Sequence, residues 1–247
     1  MCPAGAEFDA RWPAHARFAI YYAPPRDSAW WRAGCAWLGR DPESGAACAP
    51  PQPPALRRPV DAVTASPARY GWHGTLMAPF RLAGGVAPGD LLAQARRWAQ
   101  RQPAFTLDIA AAALGRFVAL RAATEAGDTA MRALAADALR AFTPLRTMPS
   151  AAERARRGAH PLTARQQALL DEWGYPYVLD EFRFHMTLSD SLAGQAERDV
   201  LIGWWRDAAA ALGPLPVDAA ALFVEPGPGA PFVLWQRLPF ATDAACS

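Results

Sequence analysis

The first regular pattern in the chain is a six-residue segment shortly before a pair of prolines, and it alternates between one face with Arg17, Ala19 and Tyr21 and another with Phe18, Ile20 and Tyr22. It covers residues 17–22 (RFAIYY) and predicts a β-strand. Residues 29–38 then place apolar side chains at helical spacing, with Asp27 or Ser28 as the N-cap. Six prolines lie within residues 41–59, so this stretch is predicted to be an irregular surface loop.

Farther along, two stretches repeat one order of predicted elements: strand, helix, strand, strand. The first strand of each stretch carries a histidine, His73 in one and His185 in the other. Apolar spacing places the helices at 90–102 and 195–212. The remaining strands are predicted at 105–109, 116–121, 217–224 and 232–238. This internal repeat predicts two related halves of an α+β fold.

Between the halves, apolar residues at helical spacing predict a helical arm. One helix follows residues 131–142, and a second is predicted at 163–173. The apolar stripe of the first helix consists of Met131, Leu134, Ala135, Ala138, Leu139 and Phe142. We expect this stripe to pack into the core.

The most informative feature is that the two repeated histidines occupy nearly the same tetrapeptide. The sequences are His73-Gly-Thr-Leu and His185-Met-Thr-Leu, and an aromatic residue precedes each histidine. The chain has only four histidines, so chance does not explain a match in both residue type and spacing. The repeat indicates a shared chemical role.

Residues two apart on a β-strand share a face, so each motif places a histidine and a threonine side by side. These are His73 with Thr75, and His185 with Thr187 and Arg183. We take the histidines as candidate catalytic residues. The threonines and the arginine are candidate substrate-binding residues.

Tyr21 is a further candidate for substrate binding. It lies on the first predicted strand, on the same face as Arg17 and Ala19, where its ring could stack on a ring of the substrate. A tyrosine packed in the core is an equal alternative at this position.

Paired histidines and threonines suit the cleavage of a phosphate ester. A neutral imidazole can take a proton from water or a ribose hydroxyl, and an imidazolium can give one to the leaving oxygen. Threonine hydroxyls can donate to the non-bridging phosphate oxygens, whose charge grows in the transition state. The sequence contains no H-E-x-x-H, C-x-x-C, P-loop or G-x-S-x-G motif. We therefore expect neither a metal nor a cofactor.

Composition narrows the class of partner. The chain of 247 residues is 52% hydrophobic and 19% charged, which is typical of a globular protein. Its formal net charge is +2, and it contains no lysine. Such a weak charge disfavours a protein that grips long nucleic acid through its phosphates, but it is compatible with a small anionic substrate.

Cysteines and segment hydropathy indicate the cellular compartment. The four cysteines (Cys2, Cys35, Cys48 and Cys246) have no metal-site spacing, so we expect reduced thiols. Charged residues among the first eleven argue against a signal peptide. No apolar run approaches the roughly 18 residues that a membrane span needs. We expect a cytoplasmic protein that does not act at a membrane.

Two such motifs, one in each half of a repeated chain, resemble the two-histidine (2H) phosphoesterase superfamily. The resemblance is closest to the branch associated with phosphonate-metabolism operons. Its segments are 18–25 (FAIYYAPP), 36–41 (AWLGRD), 69–80 (RYGWHGTLMAPF), 173–178 (WGYPYV), 182–188 (FRFHMTL) and 223–232 (FVEPGPGAPF).

The resemblance implies one bilobed domain over residues 1–247. Lobe one would cover about residues 17–125, the inserted helical arm about 126–173 and lobe two about 174–240. Two antiparallel sheets would flank a central cleft. The two motif histidines and the two motif threonines would meet in this cleft.

Two positions depart from the pattern of that branch. Trp72 stands where the branch often has Phe, and Met77 stands where it often has Lys. Met77 has the same strand parity as the first motif histidine. The missing cation weakens the expected phosphate clamp unless Arg183 or Arg81 replaces it.

The leading hypothesis is a metal-independent phosphodiesterase that opens a small cyclic or nucleotide-like phosphoester, with phosphonate metabolism as its setting. One histidine would be the base and the other the acid, and the sequence does not say which. One alternative is an enzyme of RNA ends, a 2′,3′-cyclic phosphodiesterase or 2′-5′ ligase. Another is a non-catalytic protein that binds phosphate or nucleotide.

Overall fold

The computed structural model describes residues 12–159 and 161–241, so Cys2 and Cys246 lie outside the described ranges. Within these ranges the chain forms nine β-strands and seven α-helices. The strands are β1 (Arg17–Tyr22), β2 (Gly74–Phe80), β3 (Phe105–Leu107), β4 (Ile109–Leu114), β5 (Phe117–Ala122), β6 (His185–Thr187), β7 (Leu215–Val217), β8 (Ala219–Glu225) and β9 (Val233–Pro239). The helices are α1 (Ala29–Trp37), α2 (Ala65–Tyr70), α3 (Pro88–Ala99), α4 (Glu125–Phe142), α5 (Ala151–Arg157), α6 (Ala164–Trp173) and α7 (Gln195–Leu212).

The strands form three sheets, in each of which neighbouring strands run antiparallel. The largest has the order β2-β1-β8-β9, the second has β4-β5-β6, and β3 pairs with β7 in a short third sheet. The predicted α+β class with antiparallel sheets is confirmed, and the third sheet is an addition to it. β1 has the predicted bounds and lies between two strands, which explains why five of its six residues are buried.

The motif strands lie in sheets that combine strands of both sequence halves, although β2 itself pairs with β1 of its own half. β2, which follows His73, belongs to the sheet that contains β8 and β9, whereas β6 pairs with β5 of the first half. The sheets therefore do not coincide with the segments 17–125 and 174–240. Sequence order gives no register between distant strands, so a pattern along the chain cannot reveal this exchange.

The duplication extends to a break in one strand of each half. Asp108 separates β3 from β4, and Asp218 separates β7 from β8, so the single strands predicted at these places are wrong. The Asp108 carbonyl accepts a hydrogen bond from the Ala123 N–H, and the Asp218 carbonyl accepts one from the Phe240 N–H, both at 2.8 Å. The two halves thus repeat a backbone detail that their sequences do not display.

The helices cover these sheets and close one continuous hydrophobic cluster. Helix α7 packs on β4 and β5, and α4 of the arm packs on β2 and α3. The predicted apolar stripe of α4 is buried throughout, and Phe142 meets Trp98 of α3 edge to face at 5.4 Å. None of the described helices is long and apolar enough to cross a membrane. Cys35 and Cys48 carry free thiols.

Candidate active site

The first motif histidine lies just before β2, at the end of a tight turn. His73 Nδ1 is 2.8 Å from the Gly71 carbonyl oxygen, and Gly71 has a φ of +80° that favours glycine. Because a carbonyl only accepts, Nδ1 carries the proton and the lone pair of the neutral ring is on Nε2. Nε2 lies 3.2 Å from the Thr75 hydroxyl.

The residue before His73 anchors the turn in the core. Trp72 is fully buried and stacks on Trp205 of α7 at 5.4 Å. Gly34 of α1 permits this packing, since a Cβ atom there would lie 2.0 Å from the Trp72 ring. The aromatic residue in the motif therefore fixes the direction in which the imidazole points.

The second motif histidine repeats the same backbone contact. His185 is the first residue of β6, and its Nδ1 lies 2.9 Å from the Arg183 carbonyl oxygen. In both motifs the acceptor is the carbonyl two residues before the histidine. Both neutral rings therefore present Nε2 as the atom that can take up or release a proton.

Glycine in the first motif allows the two motif strands to approach each other. A Cβ atom on Gly74 would lie 2.4 Å from the Phe184 ring, so no side chain fits without a shift. Phe184 is buried and precedes His185 in the chain. β2 and β6 thus meet at Gly74, although they belong to different sheets.

The four motif residues line two adjoining cavities at this junction. A cavity of about 340 Å³ is lined by His73 and Thr187, and one of about 570 Å³ is lined by Thr75 and His185. Phe117 lines both. Each cavity therefore takes one motif residue from each half of the chain.

Burial favours the neutral form of both imidazoles. It lowers the pKa of His73 to about 4, against the hydrogen bond to the Gly71 carbonyl, and the charge of His185 lowers that pKa further. Burial also lowers the pKa of His185, opposed by the Arg183 carbonyl and reinforced by the charge of Arg121. The influence of His185 on His73 places the two rings within electrostatic reach of each other.

The ring of Tyr21 packs against one face of the His73 imidazole. Its ring stacks on the His73 imidazole with centroids 3.9 Å apart and an angle of 24°, and it also contacts Phe223 at 5.1 Å. Tyr21 is only 1% exposed. Tyr21 is therefore a core residue, which was one of the two alternatives that the sequence left open. Its ring packs against the His73 imidazole.

Arg183 lies at the surface beside the larger cavity. It lines that cavity together with His185, and its Nη1 donates to the carbonyls of Asp180 and Phe182 at 2.8 Å each. Its candidate role in substrate binding stays a prediction, and its position beside the cavity is compatible with it.

Met77 does not share the face of Thr75, so the parity argument for this position is wrong. The pairing of β1 with β2 is irregular here: Thr75 lies opposite Tyr21, whereas Met77 lies opposite Ile20. Neighbouring residues on β1 point to opposite faces, and a bulge of this kind breaks simple alternation. Met77 is 4% exposed.

Arg121 is the cation that the sequence reasoning missed. It lies directly opposite His185 in the β5–β6 pair, so the two side chains share a sheet face. Its Nε is buried and has no hydrogen-bond partner among the described residues. In the sequence, Arg121 shares a face of the predicted strand with Phe117, and this was the available signal. Only the pairing of β5 with β6 reveals that Arg121 lies beside His185.

No group of three or more His, Cys, Asp or Glu side chains in ranges 12–159 and 161–241 is arranged to hold a metal ion. Among the described residues, His73 and His185 supply the only imidazoles that line the two cavities, and tyrosines surround them.

Comparisons with known proteins give relatives of about twice this length. A protein of Janthinobacterium sp. (strain Marseille), named ribose 1,5-bisphosphate phosphokinase PhnN, is 43% identical over 237 residues, covering 91% of this chain and 51% of that protein. A protein of the same name from Laribacter hongkongensis (strain HLHK9) is 42% identical over 235 residues, covering 88% and 50%. The chain thus spans about half the length of the curated relatives it matches.

Solved structures and a protein family also match. The crystal structure of E. coli LigT complexed with 3′-AMP has a TM-score of 0.41 at 14% identity, covering 92% of this chain and 98% of LigT. A crystal structure described as a phosphoesterase has a TM-score of 0.42, with the same identity and coverage. The family described as "Protein of unknown function (DUF1045)" matches residues 75–233, well over half of the chain. This chain belongs to the DUF1045 family.

Proposed function

We propose that the protein is a metal-independent phosphodiesterase that opens a small cyclic or nucleotide-like phosphoester by two-histidine acid–base catalysis. One observation carries the proposal. The Nδ1 atoms of His73 and His185 are held by equivalent backbone carbonyls, which leaves Nε2 as the reactive atom of each ring, and the two rings line adjoining cavities where β2 meets β6.

The proposed reaction assigns the base to His73 and the acid to His185. The strongly lowered pKa of His73 keeps this ring neutral at pH 7, so its Nε2 atom can accept the proton of an attacking water or hydroxyl. The deprotonated oxygen then forms a bond to phosphorus, while the bond between phosphorus and the leaving oxygen breaks. His185, protonated when the substrate's negative charge is bound beside it, gives its Nε2 proton to that leaving oxygen.

Hydrogen-bond donors and a cation at the junction suit the developing charge. The hydroxyls of Thr75 and Thr187 can donate to non-bridging phosphate oxygens. The guanidinium of Arg121 opposite His185 adds positive charge on the same sheet face. These groups lie on strands, which holds them in place before the substrate arrives.

The setting we propose is phosphonate metabolism, to which the sequence resemblance points. The name of the relatives refers to ribose 1,5-bisphosphate, a sugar carrying two phosphates. A P-loop kinase site requires a lysine, and this chain contains none. We therefore propose hydrolysis of a related phosphoester, not phosphoryl transfer from a nucleotide.

The test is turnover of purified protein on ribose cyclic phosphates, cyclic nucleotides and short RNA ends, with and without a chelator. Wild-type protein is expected to hydrolyse a small cyclic phosphate in the presence of chelator, and H73A and H185A to lose activity by orders of magnitude. The matched control is H15A, because His15 is exposed and lines neither cavity. Wild-type rates in both motif variants would sink the proposal, as would binding with thermal stabilisation but no turnover.

An RNA-end enzyme is the second candidate, and the aromatic lining of the larger cavity favours it. Tyr175, Tyr177, Phe117 and Phe182 line the cavity that contains His185, and Tyr177 is 45% exposed. Such rings can stack on a nucleobase. This candidate requires faster turnover of oligonucleotides than of mononucleotides and steep weakening of binding by salt.

A further inference from the structure

Beside the histidine cavities lies a third cavity with an unusual concentration of arginines. It has a volume of about 360 Å³, within the range of sites that hold small molecules. Its lining includes Arg17 at the end of the four-stranded sheet, Arg81 after β2, and Arg146 and Arg157 from the helical arm. The whole chain has a net charge of only +2, so this is a local excess of positive charge.

Two of the four guanidiniums are already neutralised. Arg17 pairs with Glu225, which also accepts a hydrogen bond from Arg69, and Arg81 pairs with Glu153 at 2.7 Å. The hydrogen bond from Arg81 holds the pKa of Glu153 at about 2, so this carboxylate stays ionised in its pair with Arg81.

The other two guanidiniums form no ion pair with a carboxylate among the described residues, although the charge of Glu153 reaches Arg157. Arg146 donates to the Trp173 carbonyl at 2.6 Å, and Arg157 donates to the Gly174 carbonyl. Arg146 is 9% exposed, and its Nε is buried without any hydrogen-bond partner in the described part of the chain. Burial lowers the pKa of Arg146, and the neighbouring charge of Arg157 lowers it further. Two like charges held together in a partly buried place favour a bound anion between them.

The arginine cavity adjoins the cavity of His185. Ala78, Tyr175 and Val178 line both, so a single molecule can extend from one into the other. The Arg157 guanidinium lies 5.4 Å from the centre of the Tyr175 ring, which holds it at this shared wall.

We propose that the arginine cavity binds a second phosphate group of the substrate, while the phosphoester that reacts lies at the histidines. This inference rests on the proposed function and narrows its substrate class to sugar or nucleoside cyclic phosphates that carry an additional phosphate monoester. Arg146 and Arg157 are the residues that contact the second group, and they act in binding only.

The first experiment measures the anion site without catalysis. Inorganic phosphate is expected to raise the melting temperature of the wild-type protein and of H73Q, and to raise that of R157Q clearly less. The matched control is R156Q, which makes the same charge change on the same helix at an exposed position that does not line the cavity. Circular dichroism checks that the variants are folded. Equal stabilisation of R157Q and R156Q by phosphate would overturn the proposed site.

The second experiment compares kcat/KM for a ribose cyclic phosphate with and without a 5-phosphate. Wild-type protein is expected to prefer the doubly phosphorylated compound by at least about tenfold. R157Q should reduce that preference by about tenfold, R157K should restore part of it, and R156Q should retain it. Stabilisation by phosphate without any substrate preference would mean that the cavity holds only free anions, which overturns the assignment to substrate. Failure of the wild-type protein to turn over either compound contradicts the proposed function, and phosphate stabilisation then still decides whether the anion site exists.

Discussion

The surroundings of the two motif histidines are alike in the backbone and different in the side chains. Both imidazoles donate from Nδ1 to the carbonyl two residues before them. His73 is stacked on Tyr21 and lies near the Thr75 hydroxyl, whereas His185 has Arg121 opposite it and the Phe117 ring at 5.9 Å. A duplicated motif thus fixes the same tautomer twice, while its neighbours give each ring a different electrostatic environment.

This difference suggests how one motif can serve two roles. An aromatic stack on a half-buried ring stabilises its neutral form, which suits a proton acceptor. A half-buried ring beside a cation changes its protonation when an anion binds, which suits a proton donor. The asymmetry can be tested from the catalytic step down to the stability of the fold.

The largest expected effect is on the pH dependence of catalysis. H73Q and H185Q should each lower kcat by about 10²–10⁴-fold, and the double variant should be little worse than either because the two rings act together. In profiles of residual kcat/KM, H73Q should lose the acid limb and H185Q the alkaline limb. Loss of the same limb in both variants would contradict the division of roles.

The next effect concerns the contact that brings the two motifs together. G74A places a methyl group where the Phe184 ring lies, and we expect a loss of about 1–3 kcal/mol in the free energy of unfolding. Urea denaturation measures this loss. Adding F184L to G74A should recover part of it by clearing the space. A G74A variant as stable as the wild-type protein would show that the strands do not meet as described.

A smaller effect separates the electrostatics of the two rings. The charge of Arg121 lowers the pKa of His185, so R121Q should raise that pKa and leave the pKa of His73 nearly unchanged. NMR titration of the imidazole protons measures both values. R116Q is the control, because Arg116 is an exposed arginine of the same hairpin. An unchanged pKa of His185 in R121Q would remove Arg121 from the site.

A further effect is on stability in acid. The pKa of His73 is about 4 in the folded protein and about 6.5 in an unfolded chain, so the unfolded chain binds this proton first as the pH falls. Stability from this residue is present above pH 6.5 and is lost between about pH 6.5 and pH 4. The melting temperature of the wild-type protein should therefore fall more across this window than that of H73Q. Parallel curves would indicate that His73 titrates normally.

The sequence predicts well what depends on neighbours along the chain. β1 and α7 have the predicted bounds, because alternation and helical spacing are local properties. The chain belongs to the DUF1045 family, whose model matches residues 75–233 and so covers both the Thr75 end of the first motif and the whole second motif. The candidate roles of His73 and His185 stay predictions until activity is measured.

What the sequence misses depends on contacts between distant segments. The irregular pairing of β1 with β2 changes the face on which Met77 lies, and no pattern along β2 reveals it. Arg121 becomes a candidate only when β5 is paired with β6. Arg146 and Arg157 are eleven positions apart in the arm, and the fold alone brings them to one cavity.

The exchange of strands between the halves has a consequence for cutting the chain. A break in the arm between α5 and α6 would give two fragments with one motif histidine each. β6 would lose its partner β5, and the β2–β1 pair would lose β8 and β9. Neither fragment alone should hold its imidazole in place, whereas the mixed pair should reassemble by complementation. The same arrangement is what the fusion of two intertwined subunits of an ancestral dimer would produce.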